Sequence, residues 1–245
     1  MSDFLKFFVD VPITSPDLSV LNAMLRKYFR YKNFKNTTQR NVISEILKRD
    51  SDIIVSLPKG SGRTMCFQLP ISISTKKVSI VFVALTSRIK VQIARLKKRN
   101  NYVEFLNSKT TADDWSRILN NIHTCCNMLS SKNTVLYMTP EVVSTVHFLN
   151  LMQLLVKNNQ LGYIVVDEAY HESYWLLGDA KEYNGLRNLR NRLPNVPWII
   201  TTANGSAEVV NHIRTILCLQ TQRSGLPKDS IPCYGFFEDD VCLDR

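Results

Sequence analysis

Short apolar stretches recur along the chain and carry the clearest structural pattern in the sequence. Five of them are rich in β-branched residues and lack polar alternation: DIIVSL (52–57), VSIVFVAL (78–85), NTVLYMT (133–139), YIVVDE (163–168) and PWIITT (197–202). A run of this kind predicts a strand that is buried on both faces, as the strands of parallel sheets are.

Segments with helical periodicity separate these predicted strands. They cover residues 39–48, 88–99, 112–122, 142–156, 185–192 and 206–217. Alternation of strands and helices predicts an α/β domain with one parallel sheet flanked by helices. Ligands of such sheets bind beyond the carboxyl ends of the strands, so the residues after each strand are candidate site residues. The tail from Thr221 onward has no clear periodicity, and we interpret it as a linker.

The composition is that of an ordinary globular protein with a basic surface. Of 245 residues, 44% are apolar and 21% are charged, and the formal net charge is +10. Such an excess favours a polyanionic partner, either nucleic acid or an acidic membrane surface. A basic soluble protein with a solvated surface would show the same balance.

Membrane insertion and secretion are not indicated by the sequence. The longest apolar run, 80–85, is far shorter than the roughly 18 residues that span a bilayer. Asp3 and Asp10 stand where a secretory signal would be basic and then apolar. The six cysteines form no CxxC pair, which favours reduced intracellular thiols over a disulfide framework or a metal site.

A glycine-containing loop follows the first predicted strand and resembles a phosphate-binding loop. Two glycines allow the backbone to turn its N–H groups toward phosphate oxygens, and the helix predicted to begin near Thr64 would add its positive end. Thr64 is also a candidate Mg²⁺ ligand through its hydroxyl group. The usual pattern ends Gly-Lys-Ser/Thr, whereas this loop ends Gly-Arg-Thr, and an ordinary turn before a helix is the alternative interpretation. The candidate phosphate-contacting residues are Pro58, Lys59, Gly60, Ser61, Gly62, Arg63 and Thr64.

Two adjacent acids end the fourth predicted strand, about a hundred residues after this loop. Nucleotide hydrolysis needs one carboxylate to hold Mg²⁺ and another to orient the attacking water, so we predict these roles for Asp167 and Glu168 respectively. An Asp-Glu pair at a strand end can also be no more than the start of a helix. The combination with the phosphate loop favours the catalytic interpretation.

These motifs, in their order and spacing, resemble the ATP-binding core of superfamily 2 helicases and specifically the RecQ family of DNA helicases. The segment FRYKNFKNTTQRNVI (29–43) is similar to the adenine-binding segment of the family. The resemblance implies that Tyr31 and Lys35 flank the adenine ring and that Gln39 hydrogen-bonds its edge. VFVALTSRIKVQI (81–93), LYMTPE (136–141), DEAY (167–170) and TTAN (201–204) occupy the positions of later family motifs.

The resemblance implies a single RecA-like, P-loop NTPase domain at residues 25–217. Residues 1–24 would form an N-terminal extension, and 218–245 a tail at the start of a second RecA-like domain that the sequence lacks. It further implies ATP and Mg²⁺ as cofactors, single-stranded or forked DNA as partner, 3′–5′ DNA unwinding as the family activity and the nucleus as location. We expect the isolated chain to be weak or inactive in hydrolysis, unless another protein supplies the second domain with its arginine finger.

Several positions depart from the family pattern. Arg63 replaces the lysine that would contact the terminal phosphates, and Tyr170 replaces the histidine of the DEAH box. Asn204 replaces the last residue of a coupling motif. In the loop at 171–183, Trp175 remains, but the central aromatic residue and the arginine of the family are lost. A catalytically dead pseudo-helicase that acts as a protein-interaction or nucleic-acid-binding scaffold is therefore the alternative, and an RNA-directed ATPase module is a third.

A basic helix predicted at 88–99 is the candidate DNA surface. Its apolar positions fall on one face, and six Arg and Lys side chains surround the rest. Arg88 and Lys90 are candidate phosphate contacts, and the resemblance implies that Thr139 lies on the same DNA-facing side. Trp175 is a candidate for base stacking. A solvated helix end and a partly buried loop anchor are the respective alternatives.

Overall fold

The computed structural model describes residues 17–74, 76–83, 88–99, 101–127, 133–169, 181–219 and 233–235. Seven strands lie in these ranges: β1 Ile53–Ser56, β2 Val78–Val83, β3 Tyr102–Leu106, β4 Thr134–Met138, β5 Leu161–Asp167, β6 Trp198–Thr202 and β7 Cys233–Gly235. The α-helices are α1 Leu18–Phe29, α2 Thr37–Lys48, α3 Arg63–Ile73, α4 Arg88–Lys97, α5 Ala112–Asn127, α6 Val146–Lys157, α7 Lys181–Arg192 and α8 Ala207–Leu217. A 3₁₀ helix at Pro140–Ser144 connects β4 to α6.

The strands form one sheet in the order β3-β4-β2-β5-β6-β1-β7. Every pairing in this sheet is parallel, as the apolar runs predict. Helices cover both faces, and two separate apolar clusters fill the spaces between the helices and the sheet. The predicted fold class, a parallel sheet flanked by helices, is confirmed. In this arrangement the phosphate loop after β1 and the acids after β5 lie at the same edge of the sheet.

The sequence pattern missed three elements. β3 has an interrupted burial pattern because it lies at one edge of the sheet and carries Glu104. β7 lies within the predicted linker and pairs with β1, although only three residues contribute to it. Helix α1 spans the predicted domain limit at residue 25 and buries Leu21 and Met24.

A buried ion pair ties α7 to the amino ends of the central strands. Arg190 Nε donates to Asp52 Oδ2 at 2.8 Å, and the backbone N–H of Trp198 donates to Asp52 Oδ1 at 3.0 Å. Arg190 and Asp52 are 0% and 1% exposed, so removing either partner would leave an uncompensated buried charge. This pair lies at the amino ends of the strands, whereas Asp167 and Glu168 lie at the carboxyl ends, so the pair stabilises the fold.

None of the helices in the described ranges is long and apolar enough to cross a membrane. Among the same residues, no group of three or more His, Cys, Asp or Glu side chains could hold a metal ion. Cys66 and Cys218 are free thiols. Burial raises the pKa of the Cys66 thiol to about 12, which makes it an inert core residue rather than a nucleophile.

Candidate nucleotide-binding site

The phosphate loop turns sharply between β1 and α3 because two of its residues are glycines. Gly60 and Gly62 have φ values of 85° and 100°, a region that other L-residues rarely adopt. At Gly62 a Cβ atom would also lie 2.2 Å from Gln39 Nε2. α3 begins directly at Arg63, so its N-terminal N–H groups lie at the loop, as anion binding requires.

Side-chain hydrogen bonds connect the phosphate loop to the first turn of α2 and to the residues just before that helix. Gln39 Nε2 donates to the Gly62 carbonyl at 3.0 Å, and Gln39 Oε1 accepts from the Lys35 backbone N–H at 2.8 Å. Lys35 Nζ donates to the carbonyl of Gly60, and Asn36 Nδ2 donates to that of Ser61 at 3.4 Å. Gln39 and Lys35, predicted as adenine contacts, therefore also define the loop geometry.

Arg63 occupies the position under the loop where the resemblance implies a lysine. Its guanidinium donates through Nη1 to the Leu57 carbonyl at 3.0 Å and through Nη2 to Glu168 Oε1 at 2.9 Å. The residue is 8% exposed. Two donors of one planar fork are thus used within the protein, a geometry that a lysine ammonium could not reproduce.

Asp167 lies at the end of β5 with each carboxylate oxygen held by one donor. Thr201 Oγ1 donates to Oδ1 at 2.6 Å, and Gln92 Nε2 donates to Oδ2 at 3.1 Å. Burial raises the pKa of Asp167, while the two hydrogen bonds and the charge of Arg63 act in the opposite direction. Each oxygen has a second lone pair, so both can still accept a further interaction.

Glu168 leaves the strand in a left-handed conformation, with φ 56°. Its backbone N–H donates to Thr201 Oγ1 at 3.0 Å, which fixes this turn against β6. Non-glycine residues in this region are uncommon and concentrate at functional sites. Thr201 therefore holds both acids, since its hydroxyl donates to Asp167 and accepts from Glu168.

These groups surround a cleft of about 620 Å³, a size typical of small-molecule sites. Four cations and two carboxylates line it, which leaves a surplus of two positive charges that favours an anionic ligand. The predicted residues in the lining are Tyr31, Lys35, Gln39, Pro58, Lys59, Gly60, Gly62, Arg63, Thr64, Asp167 and Glu168. The cleft is also lined by five residues that no sequence motif marked: Leu25, Asn33, Met65, Gln92 and Arg95.

Ser61 is the one predicted loop residue outside that lining. Its hydroxyl donates to the Pro58 carbonyl at 2.7 Å, so it shapes the loop.

The donor set fits a Mg²⁺–nucleotide. Mg²⁺ takes oxygen ligands and keeps several waters, and the Thr64 hydroxyl and the Asp167 carboxylate are such ligands in the same cleft. The N–H groups at the start of α3 and the surplus positive charge suit phosphate oxygens. The residues present can therefore hold the group that the resemblance implies.

The predicted DNA-contacting residues are only partly described. Lys90 is exposed on α4, while Arg88 is the first residue of that helix and its side chain is outside the described set. Thr139 is buried, and its hydroxyl donates to Glu141 Oε1 at 2.6 Å, so this hydroxyl is engaged within the protein. Trp175 lies outside the described residues, as does Tyr170.

Two arginines of the basic helix have roles that the sequence did not predict. Arg99 Nη1 donates to the Arg95 carbonyl at 2.8 Å, and the Arg99 guanidinium lies 4.7 Å from the ring centre of Phe29 in α1. Arg95 lines the nucleotide cleft. The Arg99 side chain thus joins the end of α4 to α1, whereas Lys90, Lys97 and Lys98 are exposed.

The fold and the cleft define a RecA-like domain with a phosphate loop and an acid pair at one sheet edge. The family model of DEAD/DEAH box helicases matches residues 36–211, and the chain belongs to this family.

Relatives of the RecQ type are similar over most of the chain. ATP-dependent DNA helicase Q5 of Rattus norvegicus is 30% identical over 200 residues, which cover 82% of this chain and 20% of the relative. ATP-dependent DNA helicase RecQ of Haemophilus influenzae is 27% identical over 197 residues, covering 80% and 30%. The chain thus spans between a fifth and a third of these relatives, and the similarity to the RecQ family is confirmed over the RecA-like region.

A solved structure supports the fold independently of sequence similarity. The DUF1998 helicase MrfA, crystallised with DNA, matches with a TM-score of 0.62 and 14% identity, covering 92% of this chain and 30% of that chain. At this identity the likeness shows the fold alone.

Proposed function

We propose that the chain is the ATP- and DNA-binding domain of a RecQ-like, ATP-dependent 3′–5′ DNA helicase in which hydrolysis is weak. The observation that carries this proposal is the cleft that brings the loop at 58–64 together with Asp167 and Glu168, and inside it Arg63 and Glu168 form an ion pair. The pair joins the two residues on which phosphate binding and water activation would depend.

Nucleotide binding is supported by the cleft as a whole. The triphosphate would lie on the loop at 58–64, with Thr64 and Asp167 as Mg²⁺ ligands, and the base would lie between Tyr31 and Lys35 beside Gln39. Bound Mg²⁺ supplies charge neutralisation of the phosphates. Lys35, Lys59 and Arg95 add positive charge along the path of the phosphates.

Weak hydrolysis follows from the pairing of Arg63. Glu168 Oε1 accepts a charge-assisted hydrogen bond from the guanidinium, so Arg63 and not an attacking water determines the orientation of this carboxylate. Arg63 must leave Glu168 or Leu57 to reach a terminal phosphate. Moving Arg63 away from these partners carries a free-energy cost.

DNA binding is supported by the charge of the chain and by the exposed cation Lys90 on α4. A net charge of +10 favours the phosphate backbone of single-stranded or forked DNA. We extend the proposal to the nucleus as the place of action and to a protein that supplies a second RecA-like domain, as the resemblance to RecQ helicases implies.

The second candidate function is a pseudo-helicase that serves as a scaffold without nucleotide turnover. It is favoured by the same ion pair, because Arg63 and Glu168 stabilise each other without ligand. The two functions differ in one property, which is whether the chain binds Mg·ATP.

Thermal unfolding with and without Mg·ATP tests the proposal. Free ligand at a hundredfold excess over its Kd raises the free energy of unfolding by about 2.7 kcal/mol. We expect such a shift for the parent, a smaller one for Lys59→Ala in the cleft, and a parental one for Lys109→Ala, an exposed lysine elsewhere. An unchanged melting temperature for the parent at millimolar Mg·ATP would contradict the proposal and favour the scaffold.

A further inference from the structure

A line of polar side chains, each hydrogen-bonded to the next, leads from the interior of the domain to the carboxylate of Asp167. Gln68 Nε2 donates to Tyr137 Oη at 3.2 Å, and Tyr137 Oη donates to Gln92 Oε1 at 3.0 Å. Gln92 Nε2 then donates to Asp167 Oδ2 at 3.1 Å. The four residues belong to α3, β4, α4 and β5, so the line connects the element behind the phosphate loop to the metal-binding edge.

The direction of every bond in this line is determined by chemistry. A carboxylate only accepts, so the amide nitrogen of Gln92 must face Asp167 and its oxygen must face Tyr137. The tyrosine hydroxyl then donates to Gln92, which leaves its oxygen to accept from Gln68. Three donors in series point toward Asp167, and hydrogen bonds in such a chain polarise and strengthen one another.

The surroundings make these bonds costly to lose. Gln68 and Tyr137 are both 0% exposed, and burial raises the pKa of the Tyr137 hydroxyl, which therefore keeps its proton. A buried polar group whose partner is removed loses a hydrogen bond that water cannot replace. The hydrogen bond from the Tyr137 hydroxyl therefore fixes the orientation of the Gln92 amide, in addition to the rotamer preference of a helix side chain.

From this geometry we infer that Gln92 is a positioning residue for the metal-binding carboxylate. Gln92 holds Oδ2 and Thr201 holds Oδ1, so the plane of the Asp167 carboxylate is fixed from both sides before any ligand arrives. Partners of this kind orient metal ligands, and their loss costs 10- to 100-fold in metal affinity. The inference rests on the proposed function, since it concerns the Mg²⁺ that accompanies the nucleotide.

The test compares nucleotide affinity with and without Mg²⁺ in the parent and in variants of Gln92. Isothermal titration with a non-hydrolysable ATP analogue in Mg²⁺ and in EDTA gives two Kd values, and the ratio of the Kd in EDTA to the Kd in Mg²⁺ reports the contribution of the metal. We expect Gln92→Leu to reduce this ratio about tenfold while the Kd in EDTA stays parental. Gln92→Glu has the same size but cannot donate to Asp167, and we expect it to reduce the ratio at least as much.

Tyr137→Phe tests whether the hydrogen bond from Tyr137 to Gln92 contributes to the orientation of Asp167. It removes the hydroxyl that orients the Gln92 amide and leaves both direct bonds to Asp167 possible, so we expect a smaller loss in the same ratio. Tyr163→Phe is the matched control, because Tyr163 is equally buried on β5 and donates to the Ile46 carbonyl, away from the cleft. We expect its ratio to equal that of the parent.

The outcomes separate this inference from the proposed function. A parental ratio of the Kd in EDTA to the Kd in Mg²⁺ in both Gln92 variants, with binding retained, would overturn the positioning role and leave the nucleotide site intact. Equal losses in Mg²⁺ and EDTA would also overturn it, since they would indicate a merely structural effect on the cleft. If the parent binds the analogue in neither buffer, the proposed function itself fails and the inference fails with it.

Discussion

Arg63 determines how this nucleotide site differs from an ordinary phosphate loop. Its guanidinium reaches both the end of β1 and the acid after β5, and the side chain is almost completely buried. A lysine ammonium carries its three donors on one nitrogen, so it could not reproduce this two-nitrogen planar geometry. The sequence showed the unusual residue, but it could not show its partner, because Glu168 is 105 positions away.

We expect Arg63→Lys to tighten the binding of Mg·ATP by about 1 kcal/mol or more, roughly a factor of five to ten in Kd. A lysine releases Glu168 and presents a compact charge to the phosphates. Isothermal titration of parent and variant measures the difference. Arg40→Lys, at a half-buried arginine outside the cleft lining, is the control and should bind as the parent does. Equal affinities for Arg63→Lys and the parent would contradict the role given to Arg63.

Asp167 makes the stability of the unliganded chain depend on pH. Because burial raises its pKa above the ordinary 3.8, the folded chain binds more protons than the unfolded chain in the interval between the two values. The free energy of unfolding therefore falls as pH rises through that interval and stays lower above it. Asp167 thus costs stability at neutral pH, as acids at functional sites often do.

We expect Asp167→Asn to unfold at a higher urea concentration than the parent at pH 7 in the absence of ligand. The gain should shrink as pH falls toward 3.8, where the parent aspartate becomes protonated. Urea unfolding at both pH values measures it. Asp114→Asn should show no gain at pH 7, because hydrogen bonds lower the pKa of that carboxyl, the one from Thr111 being the main cause. A parental midpoint for Asp167→Asn at pH 7 would contradict the burial cost.

Among the elements, α4 combines three functions on three faces. Ile89 and Leu96 are buried, Gln92 and Arg95 line the cleft, and Lys90 and Lys97 are exposed. The apolar face was predictable from periodicity. The cleft face was not, because a glutamine and an arginine in a basic helix look the same whether they face solvent or a ligand.

We expect Lys90→Ala to flatten the salt dependence of single-stranded DNA binding by about 0.7 in the slope of log affinity against log salt. That is the value of one released phosphate contact. Lys90 is near the start of α4, which follows the carboxyl end of β2, where ligands of parallel sheets bind. Fluorescence anisotropy over a range of salt concentrations measures the slope.

Lys97→Ala is the matched control for Lys90, since this exposed lysine lies about two helical turns away, at roughly 1.5 Å per residue. It should keep the parental slope. If both variants behave alike, the helix is only a solvated basic surface, and the net charge of the chain needs another explanation. Arg99 is unsuitable for this comparison because its guanidinium stacks on Phe29.

At the scale of the whole molecule, the sequence predicted the central strands and the edge at which the site lies. The uninterrupted apolar runs of β2 and β5 are typical of strands that are buried on both faces, and both strands are buried throughout. The edges were harder to predict, since β3 carries a half-exposed pattern and β7 contains three residues. Hydrogen bonds between distant elements, such as those of Gln92 and Tyr137, leave no periodic trace in the sequence.

Under the proposed function, we therefore expect the whole domain to bind nucleotide better than it hydrolyses it. The cleft, the loop and the acid pair are assembled, but the cation and the acid that would perform the chemistry are paired with each other. Phosphoryl transfer further gains a factor of roughly 10³ to 10⁵ from an arginine finger. Arg63 does not take this role in the structure, because its guanidinium donates to the Leu57 carbonyl and to Glu168.

Steady-state ATP hydrolysis by the 245-residue chain, with and without single-stranded DNA, tests this account most directly. We expect the chain to bind Mg·ATP and to hydrolyse it at a rate near the uncatalysed background. Neither single-stranded DNA nor Glu168→Gln should change this rate. DNA-stimulated turnover at an ordinary enzyme rate of about 1 s⁻¹ or more, abolished by Glu168→Gln, would contradict it.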